Sequence, residues 1–180
     1  MTILVDIDST LTNFSEVWLH YLNMIYNTKY RQENITSWDW PEKVFDEPWE
    51  PLNERKFWEE VKVNEDAKCV ISEWTRYNRH KVYLVTASEY TDTLGLKIRS
   101  TINQFPPNVL TTHNVLIAHD KSLIDGDVII DDNSENLKNG KCKYRLLYDQ
   151  PWNRNQDGMF VRVNGWSKIQ EIVSQIILSK

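Results

Sequence analysis

Cysteine, glycine and proline are scarce in this chain, at two, five and six of 180 residues. Cys69 and Cys142 show no metal-type spacing and read as two reduced thiols. So little glycine and proline, beside an ordinary apolar fraction, excludes a disordered chain and indicates a globular one. No apolar run approaches the roughly 18 residues of a membrane span. No basic stretch precedes the first apolar run, which stops at Asp6. A signal peptide is therefore not expected, and a cytoplasmic location is. Positive charge is short as well: 21 Lys and Arg against 26 Asp and Glu give a net charge of −5. A duplex-binding surface would be basic, so duplex nucleic acid is not an expected partner, whereas a small nucleotide stays compatible. The length suits one domain with an inserted subdomain.

Tryptophan is abundant. There are eight, and five of them (Trp38, Trp40, Trp49, Trp58 and Trp74) crowd between residues 38 and 74. Around them the chain reads as alternating strands and helices. Thr2 to Val5 is a short buried strand. Phe14, Val17, Trp18, Tyr21, Leu22 and Ile25 form one helical stripe. Residues 31–66 lose that regularity through Pro41, Pro48 and Pro51, with a short helix near Glu54 to Val61. A helix resumes from Ala67 through Trp74 and Tyr77. Lys81–Val85, 114–118 (NVLIA), 127–131 (DVIID) and 144–149 (YRLLYD) follow as strands. Helices are expected at about Tyr90–Gln104 and Trp166–Ile177. Continuous apolar strands alternating with helices predict an α/β fold, a Rossmann-like parallel sheet with helices on both faces.

Ligands of such sheets bind beyond the carboxyl ends of the strands, and the polar residues gather there. Asp6 and Asp8 follow the first strand, Thr86 the second, and Asp131 and Asp132 the fourth. Alone, Asp6 and Asp8 could be a solvated strand end. Four carboxylates at one sheet edge repel unless a cation joins them, and an all-oxygen site that also takes phosphate favours Mg²⁺. Lys121, just before the fourth strand, brings positive charge to the same edge. Thr86 offers a hydroxyl. These are the parts of a phosphoryl-transfer site, in which an Asp nucleophile and a second acid two residues on divide the work.

The stretches DIDSTLTNF, LVTAS, HDK and VIIDD, in that order, resemble the four motifs of the haloacid dehalogenase superfamily. More narrowly the chain is similar to the 5'(3')-deoxyribonucleotidases and their bacterial and phage relatives, down to a late loop, YDQPWNRN (148–155). The resemblance implies a core of residues 1–14 and 67–180 and a small helical cap of residues 15–66. It implies that Asp6 is the nucleophile and Asp8 the general acid/base. It implies Mg²⁺ held by Asp6, the Asp8 carbonyl and Asp132, with Asp131 beside it, and phosphate held by Thr86, Ala87 and Lys121. Phe14 would face the base, and Trp38, Trp40, Phe57 and Trp58 are candidate base contacts, although for any one cap tryptophan the favoured role is filling the cap's own core. Two positions depart from the pattern. Ser9 stands where Gly is common, and Ala87 stands where mammalian members have Ser, which leaves only a backbone N–H there and the role of Ser88 open.

The function expected is a Mg²⁺-dependent phosphoric monoester hydrolase acting on (deoxy)ribonucleoside monophosphates through a phospho-aspartate. The alternatives are a related phosphatase of another small phosphomonoester or a polynucleotide end and, behind it, a non-catalytic phospho-acceptor or nucleotide-binding domain. A homodimer is left open.

Overall fold

The computed structural model describes residues 1–76, 79–87 and 91–179. Tyr77, Ser88 and Tyr90 lie outside the described residues. In chain order the elements are β1 (Thr2–Asp6), α1 (Phe14–Ile25), α2 (Trp40–Val44), α3 (Arg55–Glu60), α4 (Glu65–Thr75), β2 (Lys81–Thr86), α5 (Thr91–Ile102) and β3 (Val115–Ile117). Then come β4 (Val128–Asp131), α6 (Ser134–Lys138), β5 (Tyr144–Tyr148), β6 (Val161–Val163) and α7 (Trp166–Leu178).

Six parallel strands pair in the order β3-β2-β1-β4-β5-β6. β1 is central: Val5 pairs with Leu84 on one side and with Ile130 on the other. The order runs outward from β1 through β2 to β3, then restarts on its far side with β4. That reversal opens a crevice at the carboxyl ends of β1, β2 and β4, the place where such sheets bind ligands. Asp6, Thr86 and Asp131 are the last residues of those three strands.

The strand alternation fills two layers. Ile3, Val5, Val128 and Ile130 face a cluster completed by Val70, Ile71 and Trp74 of α4 and by Trp166, Ile169 and Val173 of α7. Leu4 and Ile129 face the other side, with Leu137 and Cys142. Trp74 is thus a core residue, 6.3 Å from Trp166, and no part of the insert's aromatic cluster. α4 starts at Glu65, two residues before the apolar pattern, because the Asn64 side chain accepts the Ala67 N–H and Glu65 and Asp66 favour a helix N-terminus. The strand expected over 114–118 is only Val115–Ile117. It is an edge, and Ile117 is 59% exposed rather than buried. β6 and α6 are too short to show a period, at three and five residues.

Residues between α1 and α4 build a separate apolar cluster: Phe14, Trp18, Leu22, Phe45, Leu52, Phe57, Trp58 and Val61. Its rings interlock, with Phe14 5.7 Å from Phe57 edge-on and 5.9 Å from Trp58 stacked. Indole N–H groups fix the loops around it: Trp58 donates to the Leu52 carbonyl at 2.8 Å and Trp49 to Glu42 at 3.2 Å.

Ser9 sits in the turn after β1 with φ 60°, a left-handed conformation that strains any side chain but favours glycine. This is the physical reason glycine suits the position. The turn holds because Thr12 returns both its N–H and its hydroxyl to the Ile7 carbonyl, at 3.1 and 3.0 Å, and Gln150 donates to the Ser9 carbonyl at 2.6 Å. Ser9→Gly is expected to keep stability within about 1 kcal/mol, while Ser9→Val, β-branched at positive φ, loses about 1–3 kcal/mol. Urea unfolding of the two variants measures this, and equal stabilities would contradict the strain.

Candidate active site

β1 delivers Asp6 to the crevice 7% exposed, between β2 and β4. Lys121, 4% exposed in the turn before β4, donates to the Asp6 carboxylate and, at 2.8 Å, to Asp131. Asp131 also accepts the Asn133 N–H at 2.9 Å and the Asn136 amide at 3.1 Å. Asp132 accepts only from neutral donors among the described residues: the Thr10 hydroxyl at 3.2 Å and the Trp152 indole N–H at 2.9 Å. Oxygens of Asp6, Asp131 and Asp132 all lie within 4.8 Å of one another.

Three buried carboxylates share one lysine, so the cluster is short of positive charge. Burial, opposed by Lys121 and reinforced by Asp131 and Asp8, pushes the Asp6 carboxyl up to about 7. Burial likewise raises Asp132 well above the carboxylate range, with Asp6 and Asp131 adding to it. Burial alone would lower Lys121, but Asp131 and Asp6 outweigh it and hold the ammonium charged. A divalent cation on Asp6 and Asp132 would match the deficit, and the all-oxygen donor set suits Mg²⁺.

Beside this cluster stands a second lysine that sequence reasoning missed. Lys97 of α5, 4% exposed, donates to the Asp8 carboxylate and, at 2.6 Å, to the Thr86 hydroxyl. Its ammonium also lies 5.8 Å from the Trp58 ring centre. The other Asp8 oxygen, Oδ1, is buried with no hydrogen-bond partner among the described residues, an acceptor open to a ligand. A signal was present: Thr93, Lys97 and Thr101 recur at i, i+4 and i+8 and are all buried, a polar stripe where a core helix should be apolar.

A cavity of about 240 Å³ opens above Asp8, Lys97 and Ala87. Its walls are aromatic: Phe14, Trp18, Trp49 and Trp58 on one side, Trp38 and Trp152 on another. Asp6, Thr86, Lys121, Asp131 and Asp132 lie off this lining; Thr86 meets it at Lys97 and Asp132 at Trp152. Of the base contacts expected, Phe14, Trp38 and Trp58 line the cavity. Phe57 is fully buried inside the aromatic cluster, and Trp40 packs on Tyr30 and Phe45; neither is on the wall. Trp18 and Trp49, stacked at 4.6 Å, are there in their place. Core packing and lining the cavity are not exclusive, because Trp18 and Trp58 do both. His119 lines the cavity too.

Solved structures share the fold. A HAD-hydrolase of Bacillus subtilis, YfnB, bound to magnesium, aligns with a TM-score of 0.56 at 14% identity over 96% of this chain and 97% of that one. A HAD family hydrolase of Deinococcus radiodurans, with bound phosphate and sodium, also gives 0.56 at 14% identity over 97% and 95%. Among curated proteins, the 5'(3')-deoxyribonucleotidase of Clostridium acetobutylicum is 28% identical over 97% of this chain and 96% of its own. Those of Bacillus subtilis and of Bacillus phage SPbeta are each 28% identical over 93% and 95%. The family model for "5' nucleotidase, deoxy (Pyrimidine), cytosolic type C protein" matches residues 1–179. The chain belongs to that family, and with it to the nucleotide phosphatases, hydrolases of phosphoric monoesters.

Proposed function

We propose that the chain is a Mg²⁺-dependent 5'(3')-deoxyribonucleotidase that converts nucleoside monophosphates to nucleoside and phosphate through a phospho-Asp6, with residues 15–66 acting as the cap. One observation carries this reading: three buried carboxylates short of positive charge adjoin, at Asp8 and Trp152, an aromatic-walled cavity that also holds Lys97. Asp6, Asp132 and the Asp8 carbonyl would hold Mg²⁺, with Asp131 beside them, and when bound the ion neutralises charge on the cluster and the phosphoryl group.

In this reading the Asp6 carboxylate attacks phosphorus as the bond to the nucleoside oxygen breaks. Asp8 gives its proton to that oxygen, and the nucleoside leaves. Asp8 then takes a proton from water, the hydroxyl attacks the acyl phosphate, and phosphate leaves with Asp6 restored. Thr86, the Ala87 N–H, Lys121 and Lys97 hold the phosphoryl oxygens. Lys121 keeps its place through Asp131. The indole and phenyl faces of the cap shut out water and stack on the base.

The test is phosphate release from deoxy- and ribonucleoside monophosphates, a sugar phosphate and a 5'-phosphorylated oligonucleotide, with Mg²⁺ present. Deoxyribonucleotides are expected to exceed the sugar phosphate by about tenfold or more in kcat/KM, since one stacked base is worth ~1–3 kcal/mol. A sugar phosphate or oligonucleotide turned over best would move the assignment to the corresponding phosphatase.

A further inference from the structure

We propose that Trp152 is a positioning residue that sets the metal-facing orientation of Asp132 and ties it to the seating of the 35–38 segment of the insert. The proposal rests on the metal reading above. Trp152 is 7% exposed, and its two ends touch different things. Its indole N–H meets Asp132 Oδ2 at 2.9 Å. Its ring packs with Leu19 and Ile35 and meets Trp38 edge to face at 6.1 Å.

The backbone beside Trp152 is held firmly, so the ring's packing decides where the indole N–H points. Next to Trp152, the Asn153 amide donates to the Asp132 carbonyl and to the Tyr148 carbonyl, both at 2.8 Å. Arg162 of β6 in turn donates to the Asn153 side-chain oxygen at 2.6 Å and to Asp149 at 2.9 Å. The loop that carries Trp152 is thereby fastened to the sheet edge that carries Asp132. With the Thr10 hydroxyl on Asp132 Oδ1, both carboxylate oxygens are oriented by neutral donors. Neutral donors fix the rotamer and leave the full negative charge for a cation, as supporting residues around metal ligands do.

The ring end is a joint. Trp38, 55% exposed, and the buried Ile35 both pack on the Trp152 ring and so join their segment to the loop that meets Asp132. A displacement of that segment removes the wall against which the Trp152 ring rests. The Asp132 hydrogen bond then loses its support, and cation affinity falls with it.

Titration calorimetry of Mg²⁺ alone into the full chain, without substrate, tests this. Trp152→Phe keeps the ring and loses the N–H. It is expected to weaken Mg²⁺ binding about tenfold, with the melting temperature in EDTA little changed. Trp38→Ala leaves the N–H in place and is expected to weaken Mg²⁺ about threefold through the joint. Wild-type binding with Trp152→Phe unchanged overturns the proposal and leaves the metal reading standing. Absence of Mg²⁺ binding in the wild type overturns both. Trp38→Ala unchanged overturns the link to the insert; because Trp38 is exposed, this variant decides the matter should Trp152→Phe not fold.

Discussion

Asp6→Asn is expected to lose phosphate release by about 10⁴-fold or more while remaining at least as stable as the wild type. The loss follows from removing the attacking oxygen, for which no neighbour can substitute: Asp131 is engaged by Lys121 and two further donors, and Asp132 by Thr10 and Trp152. EDTA should produce a comparable loss in the wild type, reversed by Mg²⁺. The stability half follows from the carboxyl's surroundings. Burial raises Asp6 to about 7 from 3.8, so its folded form holds the proton more tightly than its unfolded form. Stability tied to that proton is whole below about pH 4 and is lost as pH rises through about 7. The amide variant has no such loss. Without metal, its melting temperature should therefore gain on the wild type between about pH 4 and pH 7. Rapid turnover by both Asp6→Asn and Asp6→Ala would sink the mechanism, and a variant that melts far below the wild type at pH 8 would contradict the account of the charge cluster.

The sheet and its ligand edge were legible because they follow from pattern alone. Buried parallel strands read as apolar runs, and their carboxyl ends were marked by Asp6, Thr86, Asp131 and Asp132. The order in which β1, β2 and β4 lie side by side brings those ends together. Illegible were contacts between residues far apart in sequence with no period to betray them. Trp152 lies 20 positions from Asp132 and Gln150 lies 141 from Ser9. Ser9 could not be explained from its neighbours either, since a left-handed φ leaves no trace in the residue type when that residue is not glycine. Phe57 and Trp40 count as candidate base contacts because aromatic content alone does not say which ring faces a ligand; in the cluster, Phe57 is the ring the others enclose.

Lys97→Met is expected to lower kcat/KM about 10²–10³-fold, the scale of removing one positioned donor from developing charge. Lys97 touches two site residues with one ammonium, Asp8 and Thr86, in a buried position where the charge is weakly screened. Without it the Asp8 carboxylate loses its cation and the phosphoryl end of the cavity loses positive charge. Lys121 cannot move over to help, because it bridges Asp6 and Asp131. The stability cost should fall below the about 3–5 kcal/mol of breaking a fully buried pair, since the Asp8 side chain is 23% exposed and water can take the vacated place. A separation of parameters distinguishes phosphate binding from mere support of the fold. Loss of a phosphate contact raises KM and lowers kcat together, and Lys97→Arg, which keeps the charge, should recover part of both; a variant that merely loosens α5 would melt early and show no such recovery. Lys97→Met within threefold of the wild type in kcat/KM would remove Lys97 from the site and leave Asp8 to act without it.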